Sequence, residues 1–281
     1  MRHKEFFMSP VSKLFLPPPA LGGCLMAGIF RDTRGADLSA ANRMNHFPAS
    51  PLVAITLVQH GTIHMLPART SWRGAADTPI LPKKSVLPPQ DVPVSSWAQG
   101  DVVALTVGVY PDAWLALGGD SACTTLAPVL DQALEGFDTE DDATAGWIKF
   151  CETLENTWRD ARPKTWQPAA RISDWTKALA TRAALSGSGR SVRSIERRIM
   201  RYSGHTRRSL AFFSAFEQLH EISRNAAGQP LAEIAIDAGY SDQSHMGRAV
   251  RRATGFSPAE LNKAIEAEEP FWCYRLLGER Y

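Results

Sequence analysis

The side chains best suited to form hydrogen bonds with a polar partner lie in a polar and basic run near the C-terminus, residues 241–252. A glutamine amide pairs with adenine, and an arginine guanidinium pairs bidentately with guanine. On a helix, at about 100° per residue, Arg248 and Arg252 share a face and Arg251 lies about 60° from Arg248. We therefore predict two sets of nucleic-acid contacts. Those near bases are Gln243, His245 and Arg248, beside Ser241 and Ser244, and those near phosphates are Arg251 and Arg252.

The elements that must position these side chains are two helices and a tight turn. Leu231 and Ile234 fall on one face of a helix that Gly239 ends, because the position after a helix commonly needs a positive φ. Ser241 or Asp242 caps a second helix, whose core side is Met246 and Val250. A short apolar helix, a glycine turn and a basic helix form the helix-turn-helix pattern. The alternative is a helical hairpin whose arginines only solvate one face.

An internal repeat favours the first interpretation. Five residues recur with a separation of 51: Ile195, Arg197, Gly204, Thr206 and Leu210 return as Met246, Arg248, Gly255, Ser257 and Leu261. Two copies of one basic helical unit are hard to explain as a solvated face. The nucleic-acid-contacting candidates of the first copy are Arg190, Arg193, Ser194 and Arg197, with Ile195 and Ile199 in the core. Arg198 and Arg201 are expected at phosphates or in solvent.

Residues from about 170 to 264 resemble the paired helix-turn-helix domain of the AraC/XylS family of bacterial transcription regulators. The second copy carries the motif I-A-x-x-x-G-Y-S-D-Q-S-H-M-x-R-x-V-R-R-x-x-G-F-S-P at Ile234–Pro258. The first copy, S-x-R-S-I-E-R-R at Ser191–Arg198, is a shorter match. Family members usually have alanine four residues before the turn glycine; the second copy keeps it at Ala235, whereas the first has Leu185.

Two N-terminal stretches, residues 47–61 and 110–119, also look like a domain found in some AraC-type regulators. Family members use that domain to bind a small effector, to dimerise, or both. The resemblance therefore implies double-stranded DNA as a partner, a small-molecule effector, and a homodimer as a further assembly. For an activator it also implies contact with RNA polymerase.

Charge is unevenly distributed along the 281 residues. Residues 1–162 contain 13 Lys and Arg against 17 Asp and Glu, and residues 163–281 contain 18 against 12, so the net charges are −4 and +6. A basic second half predicts an acidic partner. The four cysteines, at positions 24, 123, 151 and 273, have no zinc-ligand spacing. We expect free thiols, no metal, no cofactor, no membrane span, no signal peptide and a cytoplasmic protein.

The predicted fold class is α+β. An N-terminal mixed strand and helix domain, residues 1–162, resembles a sensor and precedes an all-α domain, residues 163–281. Predicted strands are 25–30, 52–58, 62–66 and 102–110, with 79–93 as loop and edge, and predicted helices are 112–117, 124–135 and 144–159. The helix-turn-helix units span about 172–202 and 231–254. A linker helix, 206–225, spans about 30 Å, near the ~34 Å between successive major grooves.

These patterns predict a sequence-specific transcription regulator whose N-terminal domain responds to an effector. The alternative is a DNA-binding protein with no effector response or with little sequence specificity. An enzyme that carries the same DNA-binding unit is disfavoured, because the sequence has no cysteine cluster and no recognised catalytic motif. We therefore predict no catalytic residues. The apolar tail after Pro270 is expected to fold back onto the C-terminal domain or to meet a partner chain.

Overall fold

The computed structural model describes residues 8–186, 191–225 and 229–279, and for residues 224 and 225 only the backbone. Its N-terminal part contains eight antiparallel strands among the residues described. They are β1 Val11–Phe15, β2 Leu25–Asp32, β3 Met44–Phe47, β4 Val53–His60, β5 Ile63–Pro67, β6 Lys84–Leu87, β7 Val94–Ala98 and β8 Val103–Val109. One sheet has the order β1-β2-β8-β4-β6 and the other β3-β7-β5.

The central strands β4 and β8 alternate between two different surroundings. Val53, Ile55 and Leu57 face the main hydrophobic cluster, which also holds helices from the rest of the domain. Their neighbours Ala54 and Thr56 face an interior cavity between the two sheets. Period-2 alternation therefore places one face of the larger sheet against helices and the other against a cavity.

Three helices cover the outer face of the larger sheet. They are α1 Pro111–Ala116, α2 Pro128–Asp138 and α3 Ala143–Ala161. Trp147, Phe150, Leu154 and Trp158 of α3 are buried, as their helical spacing predicts. Helix α2 begins four residues later than predicted, because Pro128 occupies its first turn, where proline is favoured.

The strand predictions were right about several segments but did not specify which strands share a sheet. Segments 52–58 and 62–66 are both strands, but β4 lies in the larger sheet and β5 in the smaller one. The Pro-rich stretch 79–93 contains β6, which lies at the edge of its sheet as the prolines require. Strands β1, β3 and β7 were missed, because short strands without strong alternation have no clear local signal.

The C-terminal part is helical throughout its described residues. Its helices are α4 Ile172–Leu185, α5 Val192–Ser203, α6 Arg207–Asn225, α7 Leu231–Asp237, α8 Gln243–Thr254, α9 Pro258–Ala267 and α10 Trp272–Glu279. Helix α9 begins with a capping box, in which Ser257 and Glu260 each accept from the other's backbone N–H. The α+β class with a separate helical C-terminal region is confirmed.

The two parts share one hydrophobic cluster. Trp175, Leu179, Ala183 and Ile199 of the first helix pair belong to the cluster that contains the central strands and α1–α3. The proposed division between residues 162 and 163 thus crosses a continuous core. The second helix pair has a separate core around Ile234, Met246 and Val250.

The C-terminal tail bridges the two parts. Phe271 and Tyr274 pack into the core of the second helix pair. Trp272 and Cys273 pack instead against apolar side chains of the N-terminal strands. The tail therefore folds back within the same chain, and it reaches the N-terminal part as well as its own domain. Within the described ranges, no helix is both long enough and apolar enough to cross a membrane.

Candidate nucleic-acid interface and interior cavity

The second helix-turn-helix unit, α7 and α8, is called reader 2. Gly239 has φ +78°, which lets the chain reverse after α7. The Gly239 N–H donates to the Ile236 carbonyl at 2.9 Å, and the Tyr240 N–H donates to the Ala235 carbonyl at 2.8 Å. These bonds satisfy the last carbonyls of α7, so the turn is closed by backbone geometry alone.

Asp242 caps α8. Its carboxylate accepts from the His245 N–H at 2.7 Å, and this bond is the main reason that the pKa of Asp242 lies below its ordinary value. Ser241, the other predicted cap, instead lies with its hydroxyl 3.2 Å from His245 Nδ1. The exposed helix start therefore presents one negative charge among hydroxyl, amide and imidazole groups.

Every predicted contact residue of reader 2 is exposed. They are Ser241, Gln243, Ser244, His245, Arg248, Arg251 and Arg252. Met246, by contrast, is only 1% exposed, and Val250 is buried beside it. The 3.6-residue period thus separates a core face from a polar face, as predicted.

Arg252 is held by the linker helix. Its guanidinium carbon lies 3.9 Å from the centroid of the Phe212 ring on α6, which is a cation–π geometry. Arg248 and Arg251 have no comparable aromatic partner among the contacts of the described residues. Arg252 therefore differs from the other two arginines in being directed towards the protein.

The first helix-turn-helix unit, α4 and α5, is called reader 1. Ser191 caps α5 by accepting from the Ser194 N–H at 3.3 Å, and the two hydroxyl oxygens are 2.9 Å apart. Arg193 and Arg197 are exposed, whereas Ser194 is half-buried. Arg190 lies outside the described residues. Arg197 and Arg248 occupy equivalent positions of the two readers.

Arg198 does not point to solvent or to a phosphate site as the sequence suggested. Its Nη1 donates to the Ala183 carbonyl at 2.6 Å and to the Ser186 carbonyl, and its Nε donates to the Ser194 carbonyl at 3.2 Å. A cation near the last carbonyls of α4 also complements the helix dipole. Arg198 therefore fastens the end of α4 to α5, a role that spacing alone did not reveal.

The linker helix α6 holds reader 1 through a carboxylate that the sequence did not single out. Glu217 accepts from the backbone N–H groups of Ile172 and Ser173, at 2.9 and 3.1 Å, and so caps α4 from outside. Glu221 of α6 accepts two bonds from the Arg171 guanidinium, at 2.9 and 2.8 Å. At 19 residues, α6 spans about 28 Å.

Reader 1 is anchored to α1 by a buried polar cluster. Asp112 accepts from Trp175 Nε1 at 2.8 Å and pairs with the Arg182 guanidinium at 2.9 Å. Burial raises the pKa of Asp112, while Arg182 and Trp175 oppose that rise. Arg182 also lies over the Tyr202 ring at 4.4 Å. Removing either side of such a buried pair leaves the other side uncompensated.

The interior cavity has a volume of about 220 Å³ and lies between the two sheets. Its walls are largely apolar, with Met26, Ile29 and Leu52 from the N-terminal part. Trp272, Cys273 and Leu277 of the C-terminal tail complete the wall on one side. Drug-sized ligands occupy pockets of about 300–1,000 Å³, so this cavity suits a smaller molecule.

Arg31 is the one guanidinium among the residues that line the cavity. It is 6% exposed, pairs with Glu269, and lies over the Trp272 ring at 4.9 Å. Burial lowers its pKa, which the contact with Glu269 opposes. Its Nε has no hydrogen-bond partner within the described part of the chain. A buried donor of this kind favours a ligand that carries an acceptor.

The chain was compared with protein families, curated proteins and solved structures. Residues 185–264 match a protein-family model described as a helix-turn-helix domain. Comparison with curated proteins found no match. Solved structures of ToxT from Vibrio cholerae are similar at low identity. One apo form shows 10% identity over 90% of this chain and 96% of that chain, with a TM-score of 0.38.

A second ToxT structure, with an unsaturated fatty acid bound, shows 14% identity over 77% of this chain and 93% of that chain, with a TM-score of 0.34. TM-scores this low do not establish a shared fold. The family match, by contrast, covers α5 of reader 1, the linker helix α6 and all of reader 2. Together with the duplicated capped helices, it shows that residues 185–264 form a helix-turn-helix domain, in agreement with the resemblance to AraC-type regulators noted in the sequence.

Proposed function

We propose that this protein is a sequence-specific transcription regulator that reads two adjacent major grooves, one with α5 and one with α8. The observation that carries the proposal is the duplication of a capped basic helix with an exposed arginine at the equivalent positions 197 and 248. The linker helix of about 28 Å is close to the ~34 Å repeat of the groove.

In reader 2, Gln243, His245 and Arg248 are proposed to contact base edges. Ser241 and Ser244 lie at the same exposed end of α8 and are proposed to support those contacts. Arg251 is proposed to contact a phosphate. For Arg252 to do the same, its guanidinium must leave the Phe212 ring.

In reader 1, the proposed contacts come from the N-terminal half of α5 and the residue before its cap. They are Arg190, Arg193, Ser194 and Arg197. Arg198 is left out of this set, because its guanidinium already donates to carbonyls of α4. Reader 1 is therefore expected to contribute fewer polar contacts than reader 2.

The proposal assigns sensing to residues 1–162 and DNA reading to residues 163–281. The cavity between the two sheets is the proposed effector site. Its volume and apolar walls favour a small apolar molecule, and the unpaired Arg31 Nε favours one with an acceptor group. A homodimer and contact with RNA polymerase stay predictions of the family resemblance.

Selection from a random pool of duplexes with the full-length protein tests the reading of DNA. We expect enrichment of two short sequence blocks about one helical turn apart. Arg248→Ala and Arg193→Ala should each relax a different block and cost about 1–3 kcal/mol in affinity. Arg159→Ala is the matched control, because it removes the same charge from an exposed position of helix α3, outside both readers.

Binding without enrichment of any sequence would contradict the proposal and favour the alternative of a non-specific DNA-binding protein. That protein would show a steep salt dependence and equal affinities for unrelated duplexes. Enrichment of the Arg248 block alone would mean that reader 1 only clamps phosphates.

Benzoate is a suitable first probe of the cavity, because it is small, apolar and carries two acceptor oxygens. We expect benzoate to raise the melting temperature more than benzyl alcohol does, and the difference should vanish in Arg31→Met. If neither compound stabilises the protein, the effector part of the proposal fails while DNA reading stands.

A further inference from the structure

The end of β3 and the loop that follows it touch both readers. This segment, residues His46–Pro51, is called the strap. The Ala49 N–H donates to the Ala253 carbonyl at 2.7 Å, near the end of α8 in reader 2. At the other end of the strap, the Pro51 carbonyl accepts from His205 Nε2 at 3.3 Å, just after α5 in reader 1. One short segment of the N-terminal part thus contacts the end of each recognition helix.

The two contact regions are equivalent in the internal repeat, since positions 203–205 return as 254–256. Ser203 Oγ donates to the Ile199 carbonyl and Thr254 Oγ1 to the Val250 carbonyl, both at 2.8 Å. Each hydroxyl also accepts from the N–H two residues later, at 3.1 Å in both copies. The helix ends are therefore built alike.

The residues that follow these hydroxyls meet the strap with different chemistry. His205 is buried and uses its imidazole for the bond to Pro51. Phe256, its equivalent, packs edge-on against the His46 ring at 5.5 Å. The strap therefore contacts reader 1 through a directional hydrogen bond. The strap contacts reader 2 through a backbone hydrogen bond and an aromatic contact.

The other side of the strap forms a wall of the interior cavity. Phe47, Pro48 and Ser50 line the cavity, as do the flanking residues Asn45 and Leu52. Ser50 is also fixed by two backbone bonds with Gln90, both 2.9 Å. The strap thus separates the cavity from both recognition helices, and a molecule that displaces it must disturb contacts with both.

From this arrangement we infer that the strap couples occupancy of the cavity to the placement of reader 2 relative to reader 1. The inference rests on the proposed function, in which the cavity holds an effector and both readers contact DNA. Reader 1 shares the core of the N-terminal part, so it moves least. Reader 2 has its own core, and displacement of the strap shifts it against reader 1 and changes the spacing that the protein reads.

A substitution that fills the cavity stands in for a ligand. Ala54→Leu fills it from β4 beside the strap. Ala104→Leu makes the same change on β8, in the same cavity. Ala54 pairs with Gly108, so Ala104 lies four residues along β8 from the partner of Ala54, about 13 Å away. The second variant is the matched control, because it adds the same volume far from the strap.

Hydrogen exchange measured by mass spectrometry reports the coupling without any DNA. In Ala54→Leu we expect about tenfold faster exchange at residues 199–206 and 250–257, with the larger change at 250–257. In Ala104→Leu we expect neither segment to change. Faster exchange confined to the strands, or equal effects of the two variants, would overturn the inference.

His205→Phe gives a second test, should Ala54→Leu not fold. It places in reader 1 the residue that reader 2 has at the equivalent position, and it removes the bond to Pro51 while keeping an aromatic ring against Phe213. We expect faster exchange at 250–257 as well as at 199–206. A change at 199–206 alone would contradict coupling through the strap.

DNA binding is then measured on the selected two-block duplex and on a duplex with one base pair inserted between the blocks. Ala54→Leu should reduce the preference for the native spacing about fivefold, and Ala104→Leu should leave it unchanged. A protein that fails to select DNA would refute the proposed function, while the exchange data would still decide the coupling.

Discussion

Reader 1 and reader 2 are two copies of one repeated unit, yet they are attached to the rest of the protein by different interactions. Reader 1 buries Trp175 and Leu179 in the core of the N-terminal part and adds the polar cluster around Asp112. Reader 2 packs on its own core and meets the N-terminal part through backbone carbonyls and a few rings.

The attachments of reader 2 fall at the C-terminal end of α8. Besides the bond from Ala49, the Gly255 carbonyl accepts from the Arg69 guanidinium at 2.9 Å, and Arg69 lies over the Phe256 ring at 5.6 Å. Such contacts contribute little next to a buried tryptophan. The difference indicates that reader 1 is fixed to the N-terminal part by hydrophobic burial, whereas reader 2 is attached to it by weaker contacts.

Among substitutions that test this difference in attachment, Trp175→Ala is expected to have the largest effect on stability. It should lower the free energy of unfolding by about 3–5 kcal/mol, because it leaves a cavity in the shared core and removes a donor from buried Asp112. Met246→Ala should lower the stability of reader 2 by about 2–5 kcal/mol and leave reader 1 unaffected.

Segment-resolved hydrogen exchange distinguishes the two variants. Trp175→Ala should speed exchange in both reader 1 and α1, and Met246→Ala should speed it only in reader 2. Trp72→Ala, at a half-buried tryptophan outside the shared core, is the control. If both core variants loosen all segments equally, the readers are not separately attached.

Acidification should weaken the docking of reader 2. Burial lowers the pKa of His46 from its ordinary 6.5 to about 4. Between these values the unfolded chain binds more protons than the folded chain, so stability falls as the pH drops from about 6.5 towards 4. The shift corresponds to at most about 3 kcal/mol. Urea unfolding as a function of pH measures it.

His46→Phe should flatten this pH dependence, and substitution of the exposed His60 by Asn should not. Some dependence should remain in His46→Phe, because burial also lowers the pKa of His205, against the opposing effects of Pro51 and Asp91. An unchanged profile in His46→Phe would show that His46 is not the responsible group.

Arg198→Ala should weaken reader 1 specifically, since the equivalent residue of reader 2 is Ala249. Loss of charged hydrogen bonds to the end of α4 should cost about 1.5–3 kcal/mol and should speed exchange at the end of α4. Arg201→Ala removes the same charge from an exposed position of α5 and serves as the control. Equal effects of the two would mean that charge, and not the bonds to α4, explains the loss.

The smallest expected effect concerns the caps. Ser191→Ala should cost about 1 kcal/mol, because α5 loses the hydroxyl that accepts from the Ser194 N–H. Asp242→Asn should change the stability of α8 little, since asparagine caps equally well. Thermal unfolding of both variants checks the comparison. A larger loss in Asp242→Asn would mean that the charge on Asp242 matters more than its hydrogen bond.

Much of the candidate interface could be predicted from the sequence because its determinants are local. The turn at Gly239, the capping box at Ser257 and the burial of Met246 each depend on residues within a few positions. The roles of Arg198 and Glu217 could not be predicted, because each depends on how one helix ends beside another. The same holds for β4 and β5, whose separate sheets depend on partners elsewhere in the chain.

By itself, the sequence determined that the C-terminal half contains two capped basic helices joined by a linker of groove-spanning length, since period, caps and turn glycines act over short distances. Only the tertiary structure decided how those helices are held. Trp175 meets Asp112 across 63 residues of sequence, and His205 meets Pro51 across 154. Contacts at such separations follow from the packing of whole layers, because no local propensity selects between the many faces that could bury the same apolar surface.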